Sequence, residues 1–393
     1  MEPRLKPRFN KYTYEVKTMI VKKPPMGWNT WNTFGHNISE QIVKESTDAF
    51  VALGLKDYGY EYIVIDDCWS EKKRDPETDR LVADHIKFPK GMKDIGDYIH
   101  ERGLKFGMYS CTGVRTCADY PGSFDHEYLD ADTFASWGVD FLKYDNCYKP
   151  RTADCQLLYH RMGIALENCG RDILFSACNW GTEDVWTWIR STGAHMYRST
   201  GDIVDSFQSY YDIAKSQMNK FGYSAENCYN DIDMLTIGMY GKGLVGNCGC
   251  NDAEYRQQFI LWCMYCAPLM LGCDIRTISD EALKLVTNRN LIAIDQDEAN
   301  RPPVWQSHPW NENLRCAFKH LANGEYAMAF YNFSDNDAGV PCELELFGIT
   351  NNSGLKAQLT DVLTGECIGE FRDYINIPVP THDVKLFKVK LVK

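Results

Sequence analysis

Aspartates recur at the ends of short apolar segments along the first three quarters of the chain. Each segment is a run of apolar residues that becomes polar at its last positions. The aspartates at these positions are Asp66, Asp67, Asp145, Asp202, Asp231, Asp233 and Asp274. A single aspartate at a strand end usually caps a helix or binds a loop amide. Because capping does not explain so many, we expect several of them to meet at one site.

Two kinds of chemistry use such a cluster of carboxylates. In the first, several carboxylates hold a divalent cation and a Lys or His acts as base. In the second, glycoside hydrolysis, one pair of carboxylates reacts while other acids, Lys, Arg and Trp bind the sugar. His and Glu are absent from these segment ends, whereas four tryptophans lie near them: Trp28, Trp31, Trp69 and Trp180. The residues therefore favour carbohydrate chemistry, and insensitivity to EDTA would exclude the metal alternative.

The apolar segments have the spacing of parallel strands joined by helices. Seven of them begin 22 to 43 residues apart, the length of a strand plus a crossover helix. With the first strand included, the segments are 25–28, 62–67, 105–110, 141–146, 173–180, 195–202, 229–234 and 268–274. No GxGxxG follows any of them, which disfavours an open dinucleotide-binding sheet. We predict an α/β fold, a (β/α)8 TIM barrel over residues 18–300, with its active site at the carboxyl ends of the strands.

Helix signals occur between these segments. Ser39 is placed to cap a helix that stops at Gly54. Residues 92–99 carry an apolar stripe at helical spacing that ends at Gly103. Both stretches support alternating strands and helices.

From Arg301 onwards the sequence changes to short alternating runs separated by turn residues. The runs are 326–333, 342–347, 355–362 and 384–392. This pattern predicts a small antiparallel β-sandwich over residues 301–393. No cluster of acids or histidines occurs there, so we expect a structural role.

Charge and cysteine content narrow the partners and the compartment. The net charge of −12 repels phosphate backbones and anionic membranes, so we expect no nucleic-acid and no membrane partner. Residues 1–23 carry no signal-peptide core, and the chain as given is expected to be cytoplasmic, with a secreted protein whose signal was trimmed as the alternative. The 16 cysteines are irregularly spaced, which predicts mostly buried, reduced thiols. Cys263 and Cys266 are expected in a helix core, not on a metal.

Several long motifs carry a family resemblance. They are 24–34 (PPMGWNTWNTF), 62–69 (YIVIDDCW), 133–147 (TFASWGVDFLKYDNC) and 230–238 (NDIDMLTIG). In this order they resemble glycoside hydrolase family 27, the α-galactosidases and α-N-acetylgalactosaminidases. The resemblance continues through 267–297 and spans about 280 residues.

The resemblance implies two catalytic carboxylates. Asp145 is implied as the nucleophile that forms a covalent glycosyl-enzyme, and Asp202 as the general acid/base. A retaining site of this kind holds its carboxyls about 5 to 5.5 Å apart. We expect Asp145 to be ionised and Asp202 protonated in the resting enzyme. Lys143, on the same strand face as Asp145, is expected to help keep Asp145 ionised.

The resemblance also implies a set of sugar-binding residues. Asp66 and Asp67 are implied to bind the 4- and 6-hydroxyls, and Lys143 the 3- and 4-hydroxyls. Arg198 and Asp233 are implied to bind the 2- and 3-hydroxyls, although an ion pair within the rim is the alternative role of Arg198 and Lys143. The remaining implied pocket residues are Trp31, Tyr109, Asn179 and Trp180. Buried groups specific for hydroxyls discriminate against the wrong epimer because that epimer leaves them unpaired.

Four cysteines bear on the family pattern. His36 stands where the family commonly has a cysteine that pairs with the one at Cys68, so Cys68 is expected to be unpaired. Cys117 and Cys147 match the family's second pair and are a candidate disulfide beside the nucleophile. Cys111 stands where the family frequently has an aspartate.

The loop after the fifth segment bears on specificity. In the family it contacts the 2-position, where small residues admit an N-acetyl group. The bulk of Trp180 favours galactose, while Asn179 replaces a frequent glutamate. A β-L-arabinopyranosidase would be expected to lengthen an acid of the IDD motif, and Asp66 and Asp67 are both short.

We therefore expect a retaining exo-α-galactosidase that needs no cofactor and no metal. Its substrates would be galactose-terminated oligosaccharides or glycoconjugates. The alternatives are an α-N-acetylgalactosaminidase, less favoured a β-L-arabinopyranosidase, and from other classes a carbohydrate-binding protein on an inactive barrel or a metal-dependent lyase or isomerase. Oligomeric state does not follow from the sequence.

Overall fold

In the computed structural model, which describes residues 21–220 and 222–393, eight parallel strands curl into a barrel. The strands are β1 (Met26–Asn29), β2 (Tyr62–Val64), β3 (Lys105–Cys111), β4 (Phe141–Asp145), β5 (Leu174–Cys178), β6 (Met196–Arg198), β7 (Tyr229–Asp231) and β8 (Leu269–Leu271). Their order is β7-β6-β5-β4-β3-β2-β1-β8. Leu235 bridges β7 to β8, because its N–H donates to the Met270 carbonyl at 2.8 Å and its carbonyl accepts from Gly272 at 3.0 Å. The predicted TIM barrel is confirmed, and each predicted segment overlaps a strand.

Helices connect most of these strands. They are α1 (Trp31–Phe34), α2 (Glu40–Ala52), α3 (Gly91–Glu101), α4 (Glu127–Ser136), α5 (Cys155–Asn168), α6 (Phe207–Gln217), α7 (Asp252–Tyr265), α8 (Asp280–Val286) and α9 (Arg289–Asp295). The expected helix between β5 and β6 is absent from the described chain, which has two 3-10 turns there, Thr182–Thr187 and Ile189–Thr192. These two segments begin 22 residues apart, the shortest of the spacings, and the two turns fill the residues that a crossover helix would occupy. Within the described part of the chain, none of the helices combines the length and apolarity needed to span a bilayer.

Local signals account for the helix boundaries. Ser39 accepts the Ile42 N–H at 3.3 Å and so caps α2, which gives way to a left-handed Gly54. Helix α7 is buried along nearly its whole length, since it lies between the barrel and the C-terminal sheet. Cys263 lies in this helix with no exposed surface and Cys266 is its buried C-cap, so the predicted helix-core position is confirmed.

The C-terminal region forms two antiparallel sheets. Its strands are β9 (Val304–His308), β10 (Asn311–His320), β11 (Tyr326–Asn332), β12 (Ala338–Glu343), β13 (Lys356–Asp361), β14 (Cys367–Phe371), β15 (Tyr374–Val379) and β16 (Asp383–Val392). Six of them form a sheet in the order β14-β13-β16-β11-β10-β9, and β12 pairs with β15. The predicted β-sandwich is confirmed. The strand predicted over 342–347 is wrong in its second half, because Leu344–Phe347 form a 3-10 turn closed by the left-handed Gly348.

The larger sheet is buried on both faces. One face packs on β12 and β15 through Phe318, Met328 and Phe330. The other face packs on the barrel through Ala327 and Ala329. The boundary predicted at residue 300 falls between α9 and β9. Residues 18–20 of the predicted barrel domain and 1–20 of the predicted leaderless N-terminus lie outside the described residues.

Lys319 of β10 crosses this interface with no exposed surface. Its Nζ donates to the carbonyls of Cys263 at 3.0 Å and Ile294 at 2.6 Å. A lysine is rarely buried so completely unless its ammonium is bonded on several sides. This ammonium therefore joins the sheet to α7 and α9.

Lys319→Ala should lower the free energy of unfolding by about 3 kcal/mol, because it removes the buried hydrogen bonds to the Cys263 and Ile294 carbonyls and opens a cavity. Urea unfolding followed by tryptophan fluorescence measures the loss. Lys385→Ala, at an exposed position of β16, is the matched control and should change stability by less than about 0.5 kcal/mol. An equal loss in both variants would contradict the role given to Lys319.

Candidate active site

Asp145 is the last residue of β4, and its carboxylate lies at the carboxyl end of the barrel. The residue is 7% exposed. Tyr109 Oη donates to Oδ2 at 2.9 Å, and the Asn146 N–H donates to Oδ1 at 2.9 Å. Burial raises the pKa of Asp145 to about 6, while the charge of Lys143 and the two hydrogen bonds limit the rise. Asp145 is thus a carboxylate of fixed orientation whose proton affinity is unusually high.

Asp66 organises a buried network beside Asp145. Lys143 Nζ lies 2.8 Å from Asp66 Oδ2, and Asn29 Nδ2 donates to the same oxygen at 2.8 Å. The Asp66 N–H donates to Thr30 Oγ1 at 3.0 Å. Burial alone would lower the pKa of Lys143, but the neighbouring acids, Asp66 above all, outweigh burial and raise it. Lys143 therefore stays charged and ties β4 to the ends of β1 and β2.

Asp67 fastens the loop that follows β3. Its Oδ1 accepts from the Cys68 N–H at 2.7 Å and from Thr116 Oγ1 at 3.0 Å. Its Oδ2 accepts from the Ala118 N–H at 3.1 Å. Burial raises the pKa of Asp67 despite these donors. Asp67 thus holds a neighbouring loop in place.

The cysteines near this loop have different states. A disulfide joins Cys117 to Cys147, two residues after Asp145. Cys68 and Cys111 are free and buried, and Cys68 has no disulfide partner. Cys111 Sγ donates to a backbone carbonyl at 3.0 Å, so the position is neutral where the family frequently has an acid.

Arg198, the last residue of β6, holds two carboxylates at once. Its guanidinium lies 2.7 Å from Asp202 Oδ1 and 2.8 Å from Asp233 Oδ1. The Ile203 N–H donates to Asp233 Oδ2 at 2.6 Å. The Asp202 side chain is 78% exposed, whereas that of Asp233 is 5% exposed. Asp202 is therefore the carboxylate of this set that faces open solvent.

The order of the two pKa values differs from that expected from the sequence. Although the Asp202 side chain is largely exposed, the surrounding protein removes part of its water and opposes ionisation. The charge and hydrogen bond of Arg198 outweigh this effect and hold the pKa of Asp202 below its ordinary value. The pKa of Asp145 is raised instead. The order of the two pKa values is thus opposite to the one that a protonated Asp202 beside an ionised Asp145 requires, and both carboxyls are ionised above about pH 6. The cause is the position of Arg198, four residues before Asp202 and within hydrogen-bonding distance of it.

Three further predicted pocket residues flank this site. Trp31 in α1 is half-buried and packs against the apolar cluster inside the barrel. Trp180 is half-buried just after β5 in the left-handed conformation, with φ of 59°. Asn179 is fully buried and accepts from Thr182 Oγ1 at 3.1 Å. The Asn179 side chain is therefore tied to the loop after β5, and its role at the 2-position stays a prediction.

Other residues near the strand ends lie away from the site. Trp28 and Trp69 are buried core residues whose indole N–H groups donate to backbone carbonyls. Asp274 pairs with Arg276 at 2.8 Å on the outside of the barrel. Neither tryptophan is a sugar platform, and Asp274 does not join the carboxylate cluster.

Three more strand ends line the cavity beneath the site, together with Lys143 and Arg198. Asp231, the last residue of β7, is one of the aspartates expected to meet there, whereas Asn29 and Cys178, the last residues of β1 and β5, had no predicted role. Burial raises the pKa of Asp231 to about 6, while Arg198 limits the rise. Position at a strand end was the signal that could have assigned Asn29 and Cys178.

A rim of buried acids and cations at the carboxyl ends of a TIM barrel is the arrangement of a glycoside hydrolase. A family model described as Alpha galactosidase A matches residues 23–297, and one described as Alpha galactosidase C-terminal beta sandwich domain matches residues 311–389. The chain therefore belongs to glycoside hydrolase family 27.

Individual relatives agree with this placement. The alpha-galactosidase of Cyamopsis tetragonoloba is 44% identical over 351 residues, which cover 89% of this chain and 82% of that protein. The crystal structure of alpha-galactosidase I from Mortierella vinacea superposes with a TM-score of 0.84 at 32% identity, covering 95% of this chain and 98% of that chain. The Saccharomyces cerevisiae enzyme solved with raffinose has the same TM-score and coverage at 26% identity.

Asp145→Asn should stabilise the protein at about pH 7.5. Because burial raises the pKa of Asp145 to about 6, its ionised form weakens the fold, by about 1.4 kcal/mol for each tenfold increase in proton affinity over the unfolded chain. This penalty is absent below the pKa of the unfolded chain and grows as the pH rises towards about 6. Urea unfolding should therefore show a gain of about 2 to 3 kcal/mol at pH 7.5 and under about 1 kcal/mol at pH 4.

Asp172→Asn is the matched control, because Asp172 is exposed and makes no hydrogen bond or ion pair among the described residues. It should leave stability unchanged at both pH values. If Asp145→Asn were less stable than the wild type at pH 7.5, the loss of hydrogen bonds would outweigh the gain from removing a buried charge.

Proposed function

We propose that this protein is a retaining exo-α-galactosidase that acts on galactose-terminated oligosaccharides or glycoconjugates. The observation that carries the proposal is the pair of carboxylates Asp145 and Asp202, at the ends of β4 and beyond β6, in opposite electrostatic surroundings. Two carboxylates with different tasks need different environments. The names of the family relatives support galactose as the sugar, and raffinose carries a terminal α-galactosyl group.

The network around Asp66 suits recognition of galactose. Asp66 has two donors on Oδ2, and Lys143 and Asn29 can each turn a remaining N–H towards a hydroxyl. We assign Asp66, Asp67 and Lys143 to the 3-, 4- and 6-hydroxyls. An equatorial 4-hydroxyl would leave these buried groups unpaired, which accounts for selection against glucose.

In the first half of the reaction Asp145 attacks the anomeric carbon and the bond to the leaving oxygen breaks. Asp202 donates the proton that the leaving group takes away, and a covalent galactosyl-enzyme remains. In the second half Asp202 removes a proton from water, which attacks the same carbon and releases Asp145. Two inversions give net retention of the α configuration.

Arg198 links sugar binding to the charge of Asp202. In the ligand-free protein Arg198 holds Asp202 in its ionised form. A bound sugar covers Asp202, and its 2-hydroxyl competes for the guanidinium. Both effects raise the pKa of Asp202, and the proton it takes up is the one that the leaving group needs.

The wild-type protein should hydrolyse p-nitrophenyl α-galactoside about a hundredfold faster than the α-N-acetylgalactosaminide, because Trp180 lies on the loop expected at the 2-position. Proton NMR should show α-galactose as the first product. A preference for the acetamido sugar would make the protein an α-N-acetylgalactosaminidase, and β-galactose as first product would overturn the retaining mechanism.

Azide rescue tests which carboxylate is the nucleophile and which is the general acid/base. With p-nitrophenyl α-galactoside, Asp145→Ala should lose turnover and regain part of it with azide, giving the β-galactosyl azide. Asp202→Ala still forms the galactosyl-enzyme, because p-nitrophenol leaves without an acid, and should give the α-galactosyl azide. Exchanged products would exchange the two roles.

The pH dependence of kcat/KM follows from the two pKa values of the free enzyme. The productive form has Asp145 ionised and Asp202 protonated. The pKa of Asp145 is about 6 and that of Asp202 lies below its ordinary value. At a pH between these two pKa values, the productive form is a small fraction of the enzyme that does not change with pH. At a pH below or above both values this fraction decreases. We expect kcat/KM to fall above about pH 6.

Tyr109→Phe removes a hydrogen bond to ionised Asp145 and should move this alkaline limb to higher pH. Initial rates at substrate concentrations well below KM give the profile. A kcat/KM that instead rises through pH 6 would show that Asp202 has the higher pKa in the working enzyme.

A further inference from the structure

Three side chains at the active site carry atoms that bind soft metal ions. A carboxylate oxygen of Asp145 and the Sγ atoms of Cys117 and Cys147 all lie within 4.8 Å of one another. Asp145 and Cys147 are buried, whereas Cys117 is exposed. The disulfide between the two cysteines occupies both sulfurs.

The protein holds each member of this triangle independently of the disulfide. Tyr109 and Asn146 bind the two oxygens of Asp145. Cys147 follows two residues later, with its Sγ 4.0 Å from Tyr109 Oη. On the other side, Asp67 binds Thr116 and Ala118, which flank Cys117. Breaking the S–S bond therefore leaves the three ligand groups side by side.

We propose that reduction of the Cys117–Cys147 disulfide creates a binding site for a soft divalent cation such as Zn2+, which captures Asp145 and blocks catalysis. The inhibitory consequence rests on the proposed role of Asp145 as nucleophile, while the metal site itself does not. The disulfide form is active and insensitive to the metal. Inhibition by the metal thus depends on whether the cysteine pair is reduced or oxidised.

The chemistry balances with a dithiol reductant. The reductant gives two electrons and two protons to the S–S bond, which becomes two thiols, and is itself oxidised to a disulfide. Binding of the divalent cation then releases the two thiol protons, because thiolates are the ligands. Reoxidation by another disulfide returns the original state once the metal is removed.

The ligand set fits a tetrahedral ion. Two thiolates and one carboxylate leave a fourth position for water, as in zinc sites with three protein ligands. With Zn–S bonds of about 2.3 Å the two sulfurs lie roughly 3.7 Å apart, a separation that the free side chains reach without moving the backbone far. Asp145 retains lone pairs beside its two donors. Lys143 does not repel the ion strongly, since Asp66 offsets its charge at 2.8 Å.

One other group of possible ligands lies in the described part of the chain, formed by Glu71, Asp84 and His85. It has no sulfur, and His85 is already paired with Glu71 on the surface. Carboxylates and imidazole without thiolate do not select a soft ion. Metal bound to this surface group would add to the total metal binding that is measured, and His85→Ala removes that contribution.

Cobalt absorption tests the site directly. The full chain is reduced, freed of reductant by gel filtration and titrated with Co2+, alongside the untreated disulfide form. The reduced protein should bind one Co2+ with sulfur-to-cobalt charge-transfer bands and tetrahedral visible bands, and the disulfide form should show neither. Zn2+ should displace the cobalt and inhibit only the reduced enzyme.

Variants locate the ligands. Cys147→Ser and Asp145→Asn should each weaken Co2+ binding by more than the roughly 10- to 100-fold that loss of an outer-sphere partner costs. Cys367→Ser, at an exposed free cysteine of β14 in the C-terminal sheet, is the matched control and should keep both Co2+ binding and activity. His85→Ala should keep the charge-transfer bands.

Equal Co2+ spectra for the reduced and disulfide forms, or bands that survive Cys147→Ser, would overturn the proposal. Loss of near-ultraviolet circular dichroism on reduction would overturn it too, because the three ligands would no longer be held together. The cobalt spectra do not depend on turnover. A metal site found in a protein without galactosidase activity would therefore reject the proposed function and leave the redox-gated site standing.

Discussion

A carboxylate stays ionised at the buried mouth of this barrel only where a cation or several hydrogen-bond donors replace the water it has lost. Two cations serve the whole rim. Lys143 pairs with Asp66, and Arg198 is shared between Asp202 and Asp233. Because these partners come from β1 to β7, the network exists only when the sheet has closed into a barrel. The same closure that builds the core therefore assembles the site.

The unequal sharing of these cations sets apart Asp145 and Asp202, the two carboxylates proposed to react. Asp202 has a direct ion pair with Arg198, whereas Asp145 has only the neutral donors Tyr109 and Asn146 and the more distant charge of Lys143. The order of their pKa values is thus opposite to the one that the proposed double displacement needs. In the proposed mechanism, binding energy from the sugar hydroxyls reverses the order of these pKa values, so substrate binding prepares the catalytic groups as well as giving affinity.

Prediction from the sequence worked best where a short motif recurs at the spacing that the whole fold requires. Strand segments at regular spacing predicted the barrel, and polar residues at their ends predicted most of the rim. The position of Asn179 could not be predicted in this way, because its burial depends on how the loop after β5 folds. The charge state of Asp202 also escaped prediction, since it depends on the reach of one Arg198 rotamer. Trp28 and Trp69 were ambiguous because core and sugar-binding tryptophans look alike in a sequence.

The two-faced burial of the C-terminal sheet limits how this enzyme can be recombined with its relatives. On the barrel side the sheet presents small side chains such as Ala327 and Ala329, while the same strands turn Met328 and Phe330 to the sandwich side. A sheet transplanted from a homologue must match the helical surface of α7 as closely as a core layer does. The joints of a chimaera therefore belong in loops that keep α7 and the sheet from the same parent protein, and not at the sequence junction between barrel and sheet.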